Sequence, residues 1–153
     1  MKTTINILIS ALLLYGCGQK SENGSDTIAS ENKPKIEDYD PQRGQGKFDK
    51  VELPAKLDDA MAKNGKSVFD LKCSSCHKLT DEKLVGPGWK GVTTRRKPEW
   101  IMNFITNPDA MIDKDPELQS QLEICLVRMP NQSLSDDDAR HILEFMRQND
   151  GVK

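Results

Sequence analysis

Apolar residues recur at helical spacing in four stretches of the chain, and no stretch reads convincingly as a strand. The four stretches cover residues 57–71, 98–107, 116–128 and 136–148. The spacing therefore predicts an all-α domain built from about four short helices.

Residues that favour helix starts precede or begin three of these stretches. Pro98 and Pro116 stand at first-turn positions, where the N–H that proline lacks would have no partner inside the helix. Asp115 precedes Pro116 as an N-cap, and Ser135 precedes three aspartates that the helix dipole favours. These signals support three separate helices after residue 97.

The first sixteen residues have the pattern of an export signal. Lys2 supplies a positive charge, an apolar run extends from Ile5 to Leu14, and Gly16 is a small residue directly before Cys17. The segment resembles a bacterial lipoprotein signal, which implies cleavage before Cys17 and lipids on that cysteine. The apolar run is too short to cross a bilayer as a helix. The alternative is an ordinary secreted protein with an incidental Cys17.

Residues 17–46 are polar, with Gly, Ser, Pro and mixed charges and almost no apolar side chains. Such a segment buries too little surface to offset the entropy lost on ordering. We therefore expect a lipid-anchored flexible linker over residues 17–46 and a folded domain over residues 47–153. The expected location is the periplasmic face of a bacterial membrane, and Gly18 after the lipidated cysteine favours the outer membrane.

Composition and charge exclude two classes of protein. The chain has 153 residues with 22 Lys and Arg against 24 Asp and Glu, a formal charge of -2. A nucleic-acid binder usually shows a basic excess, which is absent here. Four cysteines are too few for a disulfide scaffold at this length.

Two of the cysteines belong to a motif with a specific chemistry. Residues 73–77 read Cys-Ser-Ser-Cys-His, and C-x-x-C-H is the attachment site of c-type haem. Cys73 and Cys76 would form thioethers with the haem, and His77 would bind its iron from one side. A thioredoxin-like pair would need a βαβ context, and a zinc site would need more Cys or His ligands nearby.

Three stretches then resemble class I cytochromes c: GKSVFDLKCSSCHKL, VGPGWKGV and, further along, RMPNQSLSDDDARHILEFM. The resemblance implies helices wrapped around one covalently bound haem c. It also implies that the backbone carbonyl of Pro87 accepts the ring N–H of His77, which orients the ring and raises its basicity. Trp89 matches an aromatic residue near a haem propionate, with core packing as the alternative.

The second iron ligand is predicted among six methionines. Met129 stands before Pro130 in a loop ahead of the last helix, which is similar to the family's Met-Pro ligand position. Met111, also expected in a loop, is the rival. Met61, Met102 and Met146 lie on helical stripes and are expected in the core. We therefore expect Met129 to be the second iron ligand.

Two further residues have side chains that can react or bind a metal, but the sequence pattern favours ordinary core and surface positions for them. Cys125 shares a predicted helix face with Leu118, Leu122 and Leu126, so we expect a small buried hydrophobic residue there. His141 lies off the apolar stripe of the last helix, and a solvated surface position is expected.

Charge is distributed unevenly along the folded part. Residues 72–97 hold seven bases against two acids, a local charge of +5, whereas residues 109–144 hold nine acids against three bases. The basic segment surrounds the expected haem attachment, which favours a redox partner with an acidic docking surface. Two ordinary solvated faces are the alternative.

Iron held by an imidazole and a thioether favours electron transfer, because both axial positions are filled. We therefore expect a monomeric, membrane-tethered carrier that shuttles single electrons between respiratory redox partners and is not an enzyme. The segment from Pro98 to Pro108 and the stretch that begins MPNQ resemble cytochrome domains that serve terminal oxidases or nitrous-oxide reductases. A haem enzyme of peroxidase type and a fixed subunit of a larger respiratory complex are the alternatives.

Overall fold

The computed structural model describes residues 39–153, and this part of the chain forms six helices. They are α1 (Asp59–Lys72), α2 (Val92–Arg95), α3 (Pro98–Thr106), α4 (Asp109–Ile112), α5 (Pro116–Cys125) and α6 (Asp136–Asn149). Between residues 39 and 153 there is no strand, only one isolated backbone bridge between His77 and Lys83. The all-α prediction is confirmed, and the structure adds the single-turn helices α2 and α4 to the four predicted.

Helices α1 and α6 pack against each other more extensively than any other helix pair in the described part of the chain. The side chains of Asp58 and Ser135 cap them, each accepting a hydrogen bond from a first-turn N–H. At their contact, a Cβ on Gly65 would lie 2.0 Å from the backbone oxygen of His141. Glycine therefore permits the close approach of the two backbones.

The hydrophobic core lies where α1, α3 and α6 meet. The predicted stripe of α6 is buried, and so are Met102 and Met146, as expected for core methionines. The principal buried apolar side chains are Phe69, Trp89, Trp100, Ile101, Met102, Ile105, Met111, Ala139, Ile142, Leu143, Phe145 and Met146.

Helix α5 is shorter than the apolar pattern predicted. It ends at Cys125, and Leu126 adopts a left-handed conformation with φ of 60°. Leu118 is buried and Leu122 partly buried, but Leu126 is exposed. Leu126 therefore does not continue the predicted face of Leu118, Leu122 and Cys125, because the left-handed residue turns the chain away from the helix axis.

The folded domain begins earlier than residue 47. The side chain of Asn103, fully buried on α3, accepts a hydrogen bond from the N–H of Phe48 and donates to the carbonyls of Phe48 and Arg43. A Cβ on Gly44 would meet the side chain of Met111, so the backbone lies directly against the core there. Residues 39–46 are thus part of the domain and not of a free linker. The predictions for residues 1–38 lie outside the described residues.

Tyr39 ties the start of the described chain to the N-terminus of α5. Its hydroxyl donates to Oδ2 of Asp115 at 2.5 Å, and the indole N–H of Trp100 donates to the same oxygen at 3.0 Å. Asp115 also caps α5 through its other oxygen. Burial opposes ionisation of Asp115, but these hydrogen bonds outweigh it and hold its pKa below the ordinary value.

Replacing Tyr39 with Phe is expected to lower the free energy of unfolding by about 1.5–3 kcal/mol, as for other hydrogen bonds to a charged acceptor. Because the pKa of Asp115 is lower in the folded than in the unfolded state, its stabilisation is complete above the unfolded value of ~3.9 and is lost as the pH falls through the folded value. Denaturant titrations of the wild type and Tyr39→Phe from neutral to acid pH measure both free energies of unfolding. If the difference between the two proteins stayed constant as the pH fell, the hydrogen bond to an ionised Asp115 would be contradicted.

Glu144 on α6 is a carboxylate with no exposed surface. It accepts hydrogen bonds from Arg140 at 2.6 Å, Arg147 at 2.7 Å and the N–H of Asp58 at 2.9 Å. Arg147 also donates to the carbonyl of Pro54. Burial opposes ionisation of Glu144, but the hydrogen bonds prevail and lower its pKa. The cluster joins α6 to the chain that leads into α1.

Candidate functional site

The C-x-x-C-H motif forms a tight turn at the end of α1. Cys73 is the C-cap of α1, and its carbonyl accepts hydrogen bonds from the N–H groups of Cys76 and His77 at 3.0 and 2.9 Å. This turn brings the two thiols and the imidazole close together. Cys73 is buried, which raises the pKa of its thiol to about 11, whereas Cys76 is partly exposed. Both thiols are free and available for thioether bonds.

The ring of His77 is held by the loop that follows the motif. Its Nδ1 lies 2.8 Å from the carbonyl oxygen of Pro87, which accepts the ring proton and leaves Nε2 for a metal. The N–H groups of Val85 and Gly86 donate to the carbonyl of Cys76 and fix this loop. A Cβ on Gly86 would lie 2.4 Å from Cε1 of His77, so glycine lets the loop approach the ring. Burial lowers the pKa of His77 despite the Pro87 contact.

Two adjoining, mainly apolar clefts open beside His77. The first cleft, which borders Cys125, encloses about 640 Å³ with its open mouth included, and the second, which borders Trp89, encloses about 750 Å³. Six residues line both clefts: His77, Pro87, Phe104, Leu118, Gln121 and Met129. Helices α3 and α5 supply the walls opposite the motif loop.

Met129 is the methionine that the structure places beside His77 in both clefts, partly buried in its loop. Met111 is fully buried in α4, packs against Gly44 and lines neither cleft. Met146 borders one cleft from a core position on α6. Of the two loop candidates considered, Met129 lines the clefts beside His77 and Met111 does not.

The donor set fits a covalently bound haem with an imidazole on one side and a thioether on the other. Two free thiols stand one turn apart, the apolar clefts suit a flat apolar macrocycle, and the imidazole has one nitrogen already engaged. Among residues 39–153, no three His, Cys, Asp or Glu side chains cluster as ligands for a bare metal ion.

Comparison with known proteins agrees with this geometry. The sequence profile of the family described as "Cytochrome c" matches residues 62–150. The chain belongs to the cytochrome c family. Accordingly, it carries haem c attached covalently through its cysteine pair, and the fold is that of a class I cytochrome c.

Solved structures similar to this cytochrome come from Rhodothermus marinus. A cytochrome c from that organism is 37% identical, with a TM-score of 0.66, over 69% of this chain and 90% of that chain. An engineered form, Rma TDE, is 36% identical with a TM-score of 0.65 over the same shares. The same engineered protein bound to a carbene intermediate has a TM-score of 0.62. No protein of curated function matches the chain significantly.

Trp89 is a buried core residue that also borders a cleft. Its ring is buried, packs edge-on against Phe69 with centroids 4.7 Å apart, and lies 5.7 Å from the ring of His77. It also lines the second cleft of the cytochrome together with Arg95 and Arg96. Core packing is therefore established, and a propionate contact stays a prediction.

Cys125 and His141 are both partly buried in the structure. Cys125 is partly buried and lines the first cleft beside Met129, whereas the sequence pattern predicted a small buried hydrophobic residue. It faces the cleft because α5 forms one of the cleft walls. His141 is partly buried on α6 and borders neither cleft.

Several cleft residues were missed by the sequence reasoning. Arg96 stacks on the ring of Trp100 at 4.1 Å and forms an ion pair with Glu117 at 2.6 Å, and all three line the second cleft. Phe104 and Gln121 face the space between α3 and α5. The apolar spacing of α5 predicts one apolar face, and in the structure Leu118, Leu122 and Cys125 of that face line the first cleft.

Proposed function

We propose that this cytochrome is a single-haem electron carrier with His77 and Met129 as the axial ligands of its iron. The observation that carries the proposal is the arrangement of these two side chains. The Nδ1 of His77 is bound to Pro87, and Met129 lines the same two clefts as His77. Haem supplies a one-electron Fe(III)/Fe(II) couple, and a thioether ligand raises its potential.

The surrounding residues keep this site fixed while the electron moves. Pro87 holds the imidazole, and the buried Trp89 supports it from the core. Phe104 and Leu118 line the clefts with apolar surface that excludes water. Rigid ligands and a dry environment reduce the rearrangement that accompanies oxidation and reduction.

The ferric spectrum and a redox titration of the purified holoprotein distinguish carrier from enzyme. Low-spin iron with a weak near-infrared sulfur-to-iron band supports the carrier with Met129 bound. High-spin iron that readily binds cyanide or peroxide supports the peroxidase-type alternative. Co-purification with an oxidase or reductase at fixed stoichiometry would instead favour a fixed subunit of a respiratory complex.

We also propose that the protein is exported and tethered to a membrane through lipids on Cys17, after removal of residues 1–16. The sequence pattern supports the anchor. Between residues 39 and 153, no helix is long and apolar enough to cross a bilayer. Residues from 17 to about 38 would link the anchor to the domain on the periplasmic face, with the outer membrane favoured.

The anchor is tested by replacing Cys17 with Ala in a bacterial host that matures c-type cytochromes. Nearly all of the haem protein is expected to move from the membrane fraction to the soluble periplasmic fraction, because stable anchoring needs acyl chains. Mass spectrometry of the N-terminal peptide provides an independent measurement. Cys125→Ala is the matched control, and an unlipidated wild-type peptide would refute the anchor.

The electron partners are proposed to be respiratory proteins with acidic docking surfaces, such as a terminal oxidase or a nitrous-oxide reductase. The local charge of +5 over residues 72–97 supports steering of such a partner. We expect the second-order rate of electron transfer to fall as ionic strength rises, because salt screens this attraction. Stopped-flow mixing with purified oxidases and reductases measures it. A flat or rising rate would remove the steering proposal.

A further inference from the structure

The loop that carries Met129 forms one wall of the first cleft. It joins α5 to α6 over residues 126–135, and we call it the Met129 loop. Four consecutive residues of the loop line the cleft: Val127, Arg128, Met129 and Pro130. A displacement of this loop would therefore widen the first cleft and carry Met129 away from His77.

Backbone strain occurs near both ends of the Met129 loop. Leu126 has a φ of 60° and Ser133 a φ of 50°, and among residues 39–153 these are the two residues other than glycine with a positive φ. A left-handed conformation is unfavourable for both, because the Cβ crowds the following carbonyl oxygen. Such strain persists only where the surrounding structure holds it in place. A turn of the loop about Leu126 and Ser133 would release the strain.

Few hydrogen bonds hold the loop between these two strained residues. In the described part of the chain, no backbone–backbone hydrogen bond involves residues 127–134. One attachment is the bond from Nζ of Lys72 to the carbonyl of Gln132 at 3.0 Å. Met129 and Leu134 add partly buried apolar contacts with the core. Side chains, and not backbone pairing, therefore keep the loop in position.

Arg128, the residue before Met129, joins the loop to α4. Its Nη1 lies 2.7 Å from Oδ1 of Asp113 and its Nη2 lies 3.2 Å from Oδ2, so the pair is bidentate. Nη2 also lies 3.4 Å from Oδ1 of Asp109. The two carboxylates flank α4, whose apolar side chains are buried in the core. A bidentate pair fixes orientation as well as position, so the Arg128 fork connects a strained loop to a fixed helix.

We propose that Arg128 is a positioning residue whose fork keeps Met129 at the iron and controls access of a second ligand to the first cleft. The inference rests on the proposed function, because it takes Met129 as the iron ligand. When the fork opens, the loop turns about Leu126 and Ser133, and the thioether leaves the iron with its electron pair. The second ligand then donates its own electron pair to the iron, whose oxidation state does not change. The apolar lining of the cleft suits a small neutral molecule such as carbon monoxide.

Arg128→Gln tests the role of the fork. At saturating carbon monoxide, binding to the ferrous holoprotein is limited by release of Met129, so stopped-flow absorbance measures the opening of the loop. We expect this rate to rise about threefold to tenfold, since bidentate geometry places the pair at the upper end of exposed ion pairs. Arg128→Lys keeps the charge without the fork and should give an intermediate rate. Arg43→Gln is the matched control, because Arg43 pairs with the exposed Asp49 at 2.8 Å and borders neither cleft.

Leu126→Asn and added salt test the strain and the ion pairs separately. Asparagine tolerates the left-handed conformation better than leucine, so the closed loop loses strain and the rate is expected to fall about twofold to fivefold. Salt screens the fork, so the wild-type rate should rise with ionic strength, whereas the rate of Arg128→Gln should not. A general loss of stability would not move the two variants in opposite directions. A faster rate in Leu126→Asn would contradict the role of strain.

The ferric near-infrared band separates failure of this inference from failure of the proposed function. Wild-type protein without the sulfur-to-iron band would overturn Met129 as the ligand, and the role of Arg128 with it. A band in the wild type, together with an unchanged rate in Arg128→Gln, would overturn the role of Arg128 alone. An equal rise in Arg43→Gln would also overturn it. So would wild-type protein that shows the band but never binds carbon monoxide.

Discussion

Replacing Met129 with Ala is expected to abolish the near-infrared sulfur-to-iron band and to open the iron to cyanide and imidazole. The reduction potential is expected to fall by roughly 0.2 V, a fraction of the ~0.8 V range over which axial ligands set haem potentials. The physical reason is that a thioether favours Fe(II), and water or hydroxide in its place does not. Ferric spectra, ligand titrations and a redox titration of the same sample measure the three effects.

Met111→Ala is the matched control for this experiment. Met111 is fully buried but lines neither cleft, so its removal should cost about 2–5 kcal/mol of stability through the cavity left behind. Its spectrum and potential should remain those of the wild type. Loss of the near-infrared band in Met111→Ala, with the band retained in Met129→Ala, would reverse the assignment of the ligand.

Replacing Glu144 with Gln is expected to destabilise the holoprotein by about 3–5 kcal/mol. The exchange leaves Arg147, itself buried, without its carboxylate partner, and it weakens the bond to the N–H of Asp58. Such a loss is a large part of the ~5–15 kcal/mol that stabilises a typical domain. Guanidinium unfolding followed by circular dichroism and by haem absorbance measures it.

The control for Glu144 is Asp70→Asn, because the Lys66–Asp70 pair has the same i, i+4 spacing as Arg140 and Glu144 but lies in solvent. Loss of the Lys66–Asp70 pair should lower the free energy of unfolding by no more than about 0.5 kcal/mol. The stabilities of the two variants should also depend differently on pH in the acid range. The pKa of Glu144 is lowered in the folded state, so its contribution is complete above the unfolded value of ~4.3 and is lost as the pH falls through the folded value. Equal costs for both variants would contradict the buried cluster.

Local features of the fold were predictable because short-range chemistry determines them. Asp115 and Ser135 cap helices as expected, since a cap involves only the next few residues. The C-x-x-C-H turn is likewise confined to five residues and specifies its own cofactor. Helices α2 and α4 escaped prediction because four residues are too few to show a helical period.

Other features escaped prediction because they depend on residues far apart in the chain. Residues 39–46 look like a linker by composition, yet Asn103 and Asp115 supply the hydrogen bonds that hold this segment. Glu144 resembles a solvated helix residue until Arg147 and the chain before α1 enclose it. The composition of a segment does not show which distant group will form hydrogen bonds with its polar atoms.

The sequence by itself determined the cofactor, its attachment through Cys73 and Cys76 and the all-α class, because these depend on covalent chemistry and helical periodicity. Only the tertiary structure decided that Met129 and not Met111 lies beside His77. It also decided that Cys125 borders the cleft and that Leu126 stands in solvent. The reason is that burial is a property of packed helices, whereas spacing along one helix shows only which residues share a face.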